Sequence, residues 1–191
     1  MDQLLETERL LLVPPCRAHA QTMADMANHV DIAYMLSTMP HPYCVDDALD
    51  WIRIVGEMAV GTAFSIFLKD GQQFIGCCGS GPVDDNNEID FGYWIGVEYW
   101  GNGYATEAGR AVLSHVFEMF QFEVITTDFN LKNEASGKVL HKLGFNHVGQ
   151  RVRHCQASGQ DMATIKVELH RKDWDIVRRC ATNFLNIDQS V

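Results

Sequence analysis

Two glycines and an alanine stand directly in front of an apolar-periodic run in YWGNGYATEAGRAVL, Tyr99 to Leu113. A helix needs no glycine at its start, so either the turn is forced to positive φ or something must come close to the backbone. The preceding EIDFGYWIGV alternates Ile89, Phe91, Tyr93 and Ile95 with Glu88, Asp90, Gly92 and Trp94, which predicts a strand. Strand, glycine turn and helix in succession leave unpaired N–H groups at the helix start, where they attract phosphate. A tight turn that binds nothing satisfies the same pattern. A dinucleotide site fits badly, because its acidic residue should follow a second strand about 20 residues beyond the glycines, and Glu123 opens a strand instead. The missing Gly-Lys-Ser/Thr excludes a P-loop.

Around this segment the chain reads as alternating elements. RLLLV, Arg9 to Val13, predicts a strand stopped by Pro14 and Pro15, and the pattern from Arg17 to about His29 is helical. HPYCVDDALDWIRIV puts Asp46 or Asp47 near a helix start, with Leu49, Ile52 and Val55 at helical spacing. AFSIFLKDGQQFIGCCGSG predicts a hairpin that turns at Asp70-Gly71. The helix after the glycine turn is expected to carry Ala108, Ala111, Val112, His115 and Met119 on one side, and Phe117, Met119, Phe120 and Phe122 read as core. EVITTDF reads as a buried strand, and NEASGKVLHKLGF as a short helix capped by Asn133 and closed by Gly144. HVGQRVR and ATIKVEL are the last strands, with SGQD as a turn between them. Strand–helix alternation flanked by hairpins predicts an α/β fold with a sheet of mixed direction.

Composition removes several classes of function. The chain has 191 residues with no repeat or linker, which predicts one domain, and its 47% hydrophobic and 21% charged residues are those of a globular protein. A net charge of -10 argues against nucleic acid as a partner and would suit a cationic one. No apolar run reaches the ~18 residues of a membrane span. MDQLLETERLLLVPP is acidic and lacks the secretory pattern, so the cytoplasm is expected. Cysteines 16, 44, 77, 78, 155 and 180 show no C-x-x-C spacing and the histidines are scattered, so neither disulfides nor a metal are expected.

EIDFGYWIGVEYWGNGYATEAGRAVLSHVFEMF, followed by NEASGKVLHKLGF, resembles the GNAT superfamily of acyl-CoA-dependent N-acetyltransferases. More narrowly it is similar to the RimJ/RimL branch, the ribosomal-protein N-terminal alanine acetyltransferases. ETERLLLVPP, PHPYCVDDALDWI and ELHRKDW also match that branch, so the resemblance runs from Leu4 to Trp174. It implies a mixed, mostly antiparallel central sheet with helices on both faces, in a single domain over residues 1–175 with a tail at 176–191. It also implies acetyl-CoA as co-substrate. The diphosphate would rest on the backbone of Gly101, Asn102, Gly103, Tyr104, Ala105 and Thr106, with Trp100 standing where many relatives carry Gln or Arg. The pantetheine arm would run along Ile95, Gly96 and Val97 and meet Asn133, with Asn130 as a second candidate.

The implied reaction is attack of a neutral amine on the acetyl thioester. Neutralising an alkylamine of pKa ~10.4 at pH 7 costs ~4.6 kcal/mol, whereas an α-amine at ~7.7 to 8.0 costs only about 1 to 1.4. Asp90 occupies a position where the branch often has Glu and is the first candidate base. Glu88, two residues earlier on the same strand face, is the reserve, and a solvated strand face accounts for both equally well. Many relatives protonate the leaving thiolate with a Tyr that is replaced here by Leu140. Ser136 is what the branch would offer instead, and a simple capping hydroxyl has an equal claim. Trp51, Trp94 and Trp100 are candidates to line an acceptor groove, and the acidic run Asp84 to Asp90 to steer a cationic acceptor. The expected acceptor is a peptide or protein N-terminus. A small amine such as a polyamine or antibiotic, or a non-catalytic acyl-CoA-binding module, are the alternatives, and the enzyme is expected to be a monomer or homodimer.

Overall fold

The computed structural model describes residues 4–82 and 89–178, so Glu88, the rest of the acidic run before it and the chain from 179 onward lie outside the described residues. The apolar alternation seen in the sequence builds eight strands: β1 (Leu5–Glu6), β2 (Leu10–Val13), β3 (Thr62–Leu68), β4 (Phe74–Pro82), β5 (Ile89–Ile95), β6 (Val124–Asn130), β7 (Asn146–Cys155) and β8 (Gln160–His170). They form one sheet in the order β1-β2-β3-β4-β5-β6-β8-β7. Every neighbouring pair is antiparallel except β5 and β6.

Helices α1 (Ala20–Ala27), α2 (Val30–Ala33), α3 (Val45–Glu57), α4 (Tyr104–Met119) and α5 (Glu134–Lys142) connect the strands, and α6 spans 171–178. They divide between the two sheet faces. Leu10, Leu12, Phe64, Ile66, Phe91, Ile95 and Ile125 pack with Val112, Leu113 and Val116 of α4 and Leu140 of α5. On the opposite face Phe74 and Cys77 pack with Met23 and Ala27 of α1 and Ala48 and Ile52 of α3. The implied α/β fold, a mostly antiparallel sheet covered on both faces, is therefore the observed one.

Helix α4 buries a different stripe from the expected one. Ala108, Gly109, Val112, Leu113, Val116 and Phe117 face the core, whereas Met119 is 58% exposed and His115 lies half-buried, edge-on to Phe64. The reason is Gly109, which an apolar count passes over. A Cβ there would come within 2.7 Å of Leu143 Cδ1 and 3.3 Å of the Phe91 ring, so the helix approaches the sheet at its bare position. Phe120 and Phe122 stack at 5.2 Å on the rim of the core instead of inside it. Cys77, Cys78 and Cys155 are buried thiols that fill core space, whereas Cys16 and Cys44 are exposed.

The C-terminal end of α4 is closed by a residue that drew no attention in the sequence. Arg171 donates from Nη1 to the Phe117 carbonyl (2.7 Å), from Nη2 to Phe120 (2.6 Å) and from Nε to Phe122 (2.9 Å). Its guanidinium also lies 5.0 Å over the Phe117 ring. A cation here satisfies orphan carbonyls and complements the negative end of the helix dipole. Arg171→Met should therefore destabilise the domain by about 3 kcal/mol, read as a Tm drop of roughly 6 to 12 °C. A drop of less than about 2 °C would show that the three bonds contribute little.

Candidate active site

β5 and β6 are the only parallel neighbours among the described strands, and they are in register at one pair alone, Asp90 with Thr126. Each is fully paired on its other side, β5 with β4 and β6 with β8. Beyond Asp90 their facing edges separate and open a cleft in the sheet. The Trp94 carbonyl lies against Gly76, and the Gly96 N–H donates to the Ile75 carbonyl at 2.9 Å, so the even-numbered backbone groups turn toward β4. Tyr93 and Ile95 consequently present theirs to the cleft. The Ile95 carbonyl is taken by the Trp100 indole N–H at 2.7 Å.

Of the three residues expected along a pantetheine arm, Gly96 is thus tied to β4 and Ile95 is half committed, while Val97 begins a short 3₁₀ turn, Val97–Tyr99. Tyr93, which the sequence reading did not assign to the site, has both backbone groups on the open edge. The strand alternation carried that information, because Tyr93 and Ile95 share a parity.

At the end of the cleft the glycine turn has the conformation that requires glycine. Gly101 has φ +79° and Gly103, the N-cap of α4, φ +81°. A Cβ at Gly101 would meet nothing within 4 Å, and one at Gly103 only Arg9 Nη2 at 3.6 Å. Internal packing therefore does not demand the glycines; positive φ does, and the surface it bares is the amide face at the start of α4. Asn102 organises the turn through Nδ2, which donates to the Tyr99 and Trp100 carbonyls at 3.2 and 3.1 Å. Arg9, just before β2, braces it, donating to the Asn102 carbonyl at 3.0 Å and pairing with Glu107 at 2.6 Å. Burial opposes charge on Glu107, but hydrogen bonds from the Thr7 hydroxyl and from Arg9 outweigh it and hold its carboxyl below the ordinary value.

α5 closes one side of the cleft. Asn133 caps it, its Oδ1 accepting from the Ser136 N–H at 3.0 Å, and Gly144 ends it at φ +92°, both as the sequence predicts. Leu140 is buried in the core, so the position where relatives carry Tyr is spent on packing. The Ser136 hydroxyl instead meets a phenol from across the cleft, with Tyr93 Oη donating to Ser136 Oγ at 2.9 Å. Asn130 is turned to structural work. Its Nδ2 donates to the Tyr34 carbonyl at 3.4 Å, and its Oδ1 holds the Lys132 N–H at 2.9 Å. Trp94 packs edge-on to Phe74 at 5.7 Å, within the α1/α3 face.

Asp90 sits at the apex, where the two strands part. Burial is the main influence on its carboxyl and pushes the pKa up to about 6, against hydrogen bonds from Thr127 and the Phe91 N–H. Asp128 pushes in the same direction as burial, and Arg153, ion-paired to Asp128 at 2.8 Å, pushes back. Such a group is mostly ionised at pH 7 and a stronger base than an ordinary Asp. Among the described residues no cluster of three or more His, Cys, Asp or Glu could hold a metal, and no helix is long and apolar enough to cross a membrane.

The family model of the acetyltransferase (GNAT) domain matches residues 9–146. The chain belongs to the GNAT acetyltransferase family. The protein called "Uncharacterized N-acetyltransferase p20" of Bacillus licheniformis is similar, 24% identical over 176 residues that cover 90% of this chain and 98% of its own. Two solved structures share the fold. Mycobacterium smegmatis RimJ in complex with CoA-disulfide has a TM-score of 0.74 at 22% identity, covering 90% of this chain and 87% of its own. The ribosomal-protein-S5-alanine acetyltransferase of Vibrio fischeri has a TM-score of 0.74 at 20% identity, covering 91% and 99%.

GNAT acetyltransferases use acetyl-CoA, and this GNAT chain has features that fit it: a bared amide turn for an anion and an unpaired strand edge for an amide-bearing arm. Gly103→Ala tests the turn. The added methyl has room beside Arg9, so only the φ strain of about 1 kcal/mol should appear, as a Tm loss of ~2 to 4 °C. Affinity for CoA, measured by calorimetry, should nevertheless fall at least about tenfold. Unchanged affinity would remove the turn from the site.

Proposed function

We propose that this GNAT N-acetyltransferase moves the acetyl group of acetyl-CoA to the α-amine of a peptide or protein N-terminus. The observation that carries the choice is the Asp90 carboxyl, raised to about 6 at the cleft apex. Proton transfer to such a base from an α-ammonium of pKa ~7.7 to 8.0 is uphill by roughly 2.5 kcal/mol, and from an alkylammonium of ~10.4 by roughly 6. Such a base can take the proton of an α-ammonium at modest cost, and the gap of roughly 3.5 kcal/mol between the two amines favours the first substrate. The names of two structural relatives, a RimJ and a ribosomal-protein-S5-alanine acetyltransferase, point the same way.

In this reading the diphosphate of acetyl-CoA rests on the backbone of residues 101–106, where the helix start and its dipole favour negative charge. The arm lies in the cleft on the backbone groups of Tyr93 and the Ile95 N–H, with Asn133 at its other side. The amine approaches on the α1/α3 face, the face shared by Asp90, Gly92 and Trp94. Asp90, directly or through one water, takes the proton as the C–N bond forms. When the C–S bond breaks, its electron pair stays on sulfur, and the Ser136 hydroxyl donates a hydrogen bond to the thiolate. A thiol of pKa ~8.5 needs no stronger acid, which is how a chain with Leu140 can dispense with the Tyr of its relatives. The free thiols fit a reducing compartment and support the cytoplasm as the place of work.

Mass spectrometry of products from acetyl-CoA with N-terminal peptides and polyamines tests the acceptor. Peptide α-amine acetylation is expected, and product from polyamines alone would overturn the assignment. Asp90→Asn should slow kcat/KM most between pH 6 and about 8, where the wild type has its carboxylate and free neutral amine is scarce. Because folding raises this carboxyl from 3.8 to about 6, its ionisation costs stability that grows as the pH rises through that interval. Asp90→Asn should therefore melt higher than wild type above pH 6 and equally below about pH 4. A pH–rate profile unaltered by the substitution would take Asp90 out of the mechanism.

A further inference from the structure

Tyr93 has two features that the family resemblance does not assign to the reaction. Its backbone is at the centre of the open edge of β5, and its side chain leaves the opposite way from Trp94, on the α4/α5 face beside Phe91 at 6.0 Å. From there the phenol reaches the first turn of α5 and donates to Ser136 Oγ at 2.9 Å. The bond joins β5, one wall of the cleft, to the first turn of α5, the other.

The direction of this bond matters chemically. A serine hydroxyl has one proton and two lone pairs. Left alone at a helix start, it turns its proton wherever an acceptor is offered, the carbonyls of the preceding turn included. The Ser136 backbone N–H is already fixed on Asn133 Oδ1. When the phenol, the more acidic of the two hydroxyls, donates into one lone pair of Ser136 Oγ, the Ser136 proton is left for a different acceptor. Burial raises the Tyr93 phenol to about 12, so it remains a donor throughout the working pH range.

We propose that Tyr93 is a positioning residue that aims the Ser136 hydroxyl at the departing sulfur of coenzyme A, in place of the direct phenol donor lost at Leu140. The proposal rests on the reading of Ser136 given above. No proton leaves Tyr93 or Ser136. The electron pair of the broken C–S bond stays on sulfur, the amine proton goes to Asp90 or water, and the thiolate is reprotonated by solvent. An aimed hydroxyl supplies stabilisation that appears only as negative charge develops on sulfur, so its loss should be felt in kcat and not in binding.

A double-mutant cycle on the full chain tests this. Tyr93→Phe keeps the ring and removes the donor, and should lower kcat about tenfold while KM for acetyl-CoA stays within about twofold. Ser136→Ala should lower kcat at least as much. The variant with both substitutions should be no slower than Ser136→Ala alone, because the phenol acts only through the serine. Additive losses, or a Tyr93→Phe enzyme as fast as wild type beside a slow Ser136→Ala, would overturn the positioning role and leave the reading of Ser136 standing. A Ser136→Ala enzyme of wild-type kcat would overturn that reading and the positioning role together. Ser136→Thr retains a hydroxyl and should recover most of the rate only while Tyr93 is present; recovery in the Tyr93→Phe background would also count against the proposal.

Discussion

The molecule is organised around a break in its own sheet. Parallel strands β5 and β6 meet at Asp90 and Thr126 and then part, although each is otherwise paired along its length. Backbone groups on an unpaired edge are costly unless something satisfies them. Here local side chains do part of that work: Asp90 Oδ1 accepts from the Phe91 N–H at one end, and the Trp100 indole donates to the Ile95 carbonyl at the other. Tyr93 is left between them. The unusual carboxyl lies at the apex of the break, where Asp90 is still paired with Thr126 and burial raises its pKa.

The same break determines how the helices contribute. α4 is reached through a turn with two positive-φ glycines, and Arg9 and Glu107 pin that turn to the N-terminal strands. α5 begins across the cleft, where its first-turn serine meets Tyr93 of β5 while Asn133 caps the helix. The first turn of α5 thus reaches β5, and the start of α4 follows β5 through the glycine turn, so each helix presents its anion-favouring end next to a neighbour of the open edge in the fold. An acyl carrier that has phosphate at one end, amides along its length and a thioester at the other is the kind of molecule such a cleft fits.

Much of this was legible from residues. The alternation in EIDFGYWIGV placed Asp90 and Tyr93 on opposite faces, and Asn133 and Gly144 bounded α5 as capping chemistry requires. Where the sequence misled, a missing or long-range interaction was responsible. The α4 stripe was displaced because Gly109 has no side chain to count, yet marks the closest approach to Leu143 and Phe91. Arg171 carried no local signal because the carbonyls it closes belong to residues 117–122. The Tyr93–Ser136 bond spans 43 positions in the chain and no local pattern encodes it. Asn130 shows the reverse, a polar residue of the right type that the fold uses to tie β6 to Tyr34.

In the proposed binding mode the separated edges of β5 and β6 receive the acylated arm while the glycine turn receives the diphosphate. A crystal structure of the protein grown with coenzyme A tests it most directly. The arm should hydrogen-bond the backbone of Tyr93, the diphosphate should contact the amides of residues 101–106, and the sulfur should lie within reach of Ser136 Oγ. Coenzyme A bound elsewhere, with β5 and β6 still parted and nothing between them, would contradict the account.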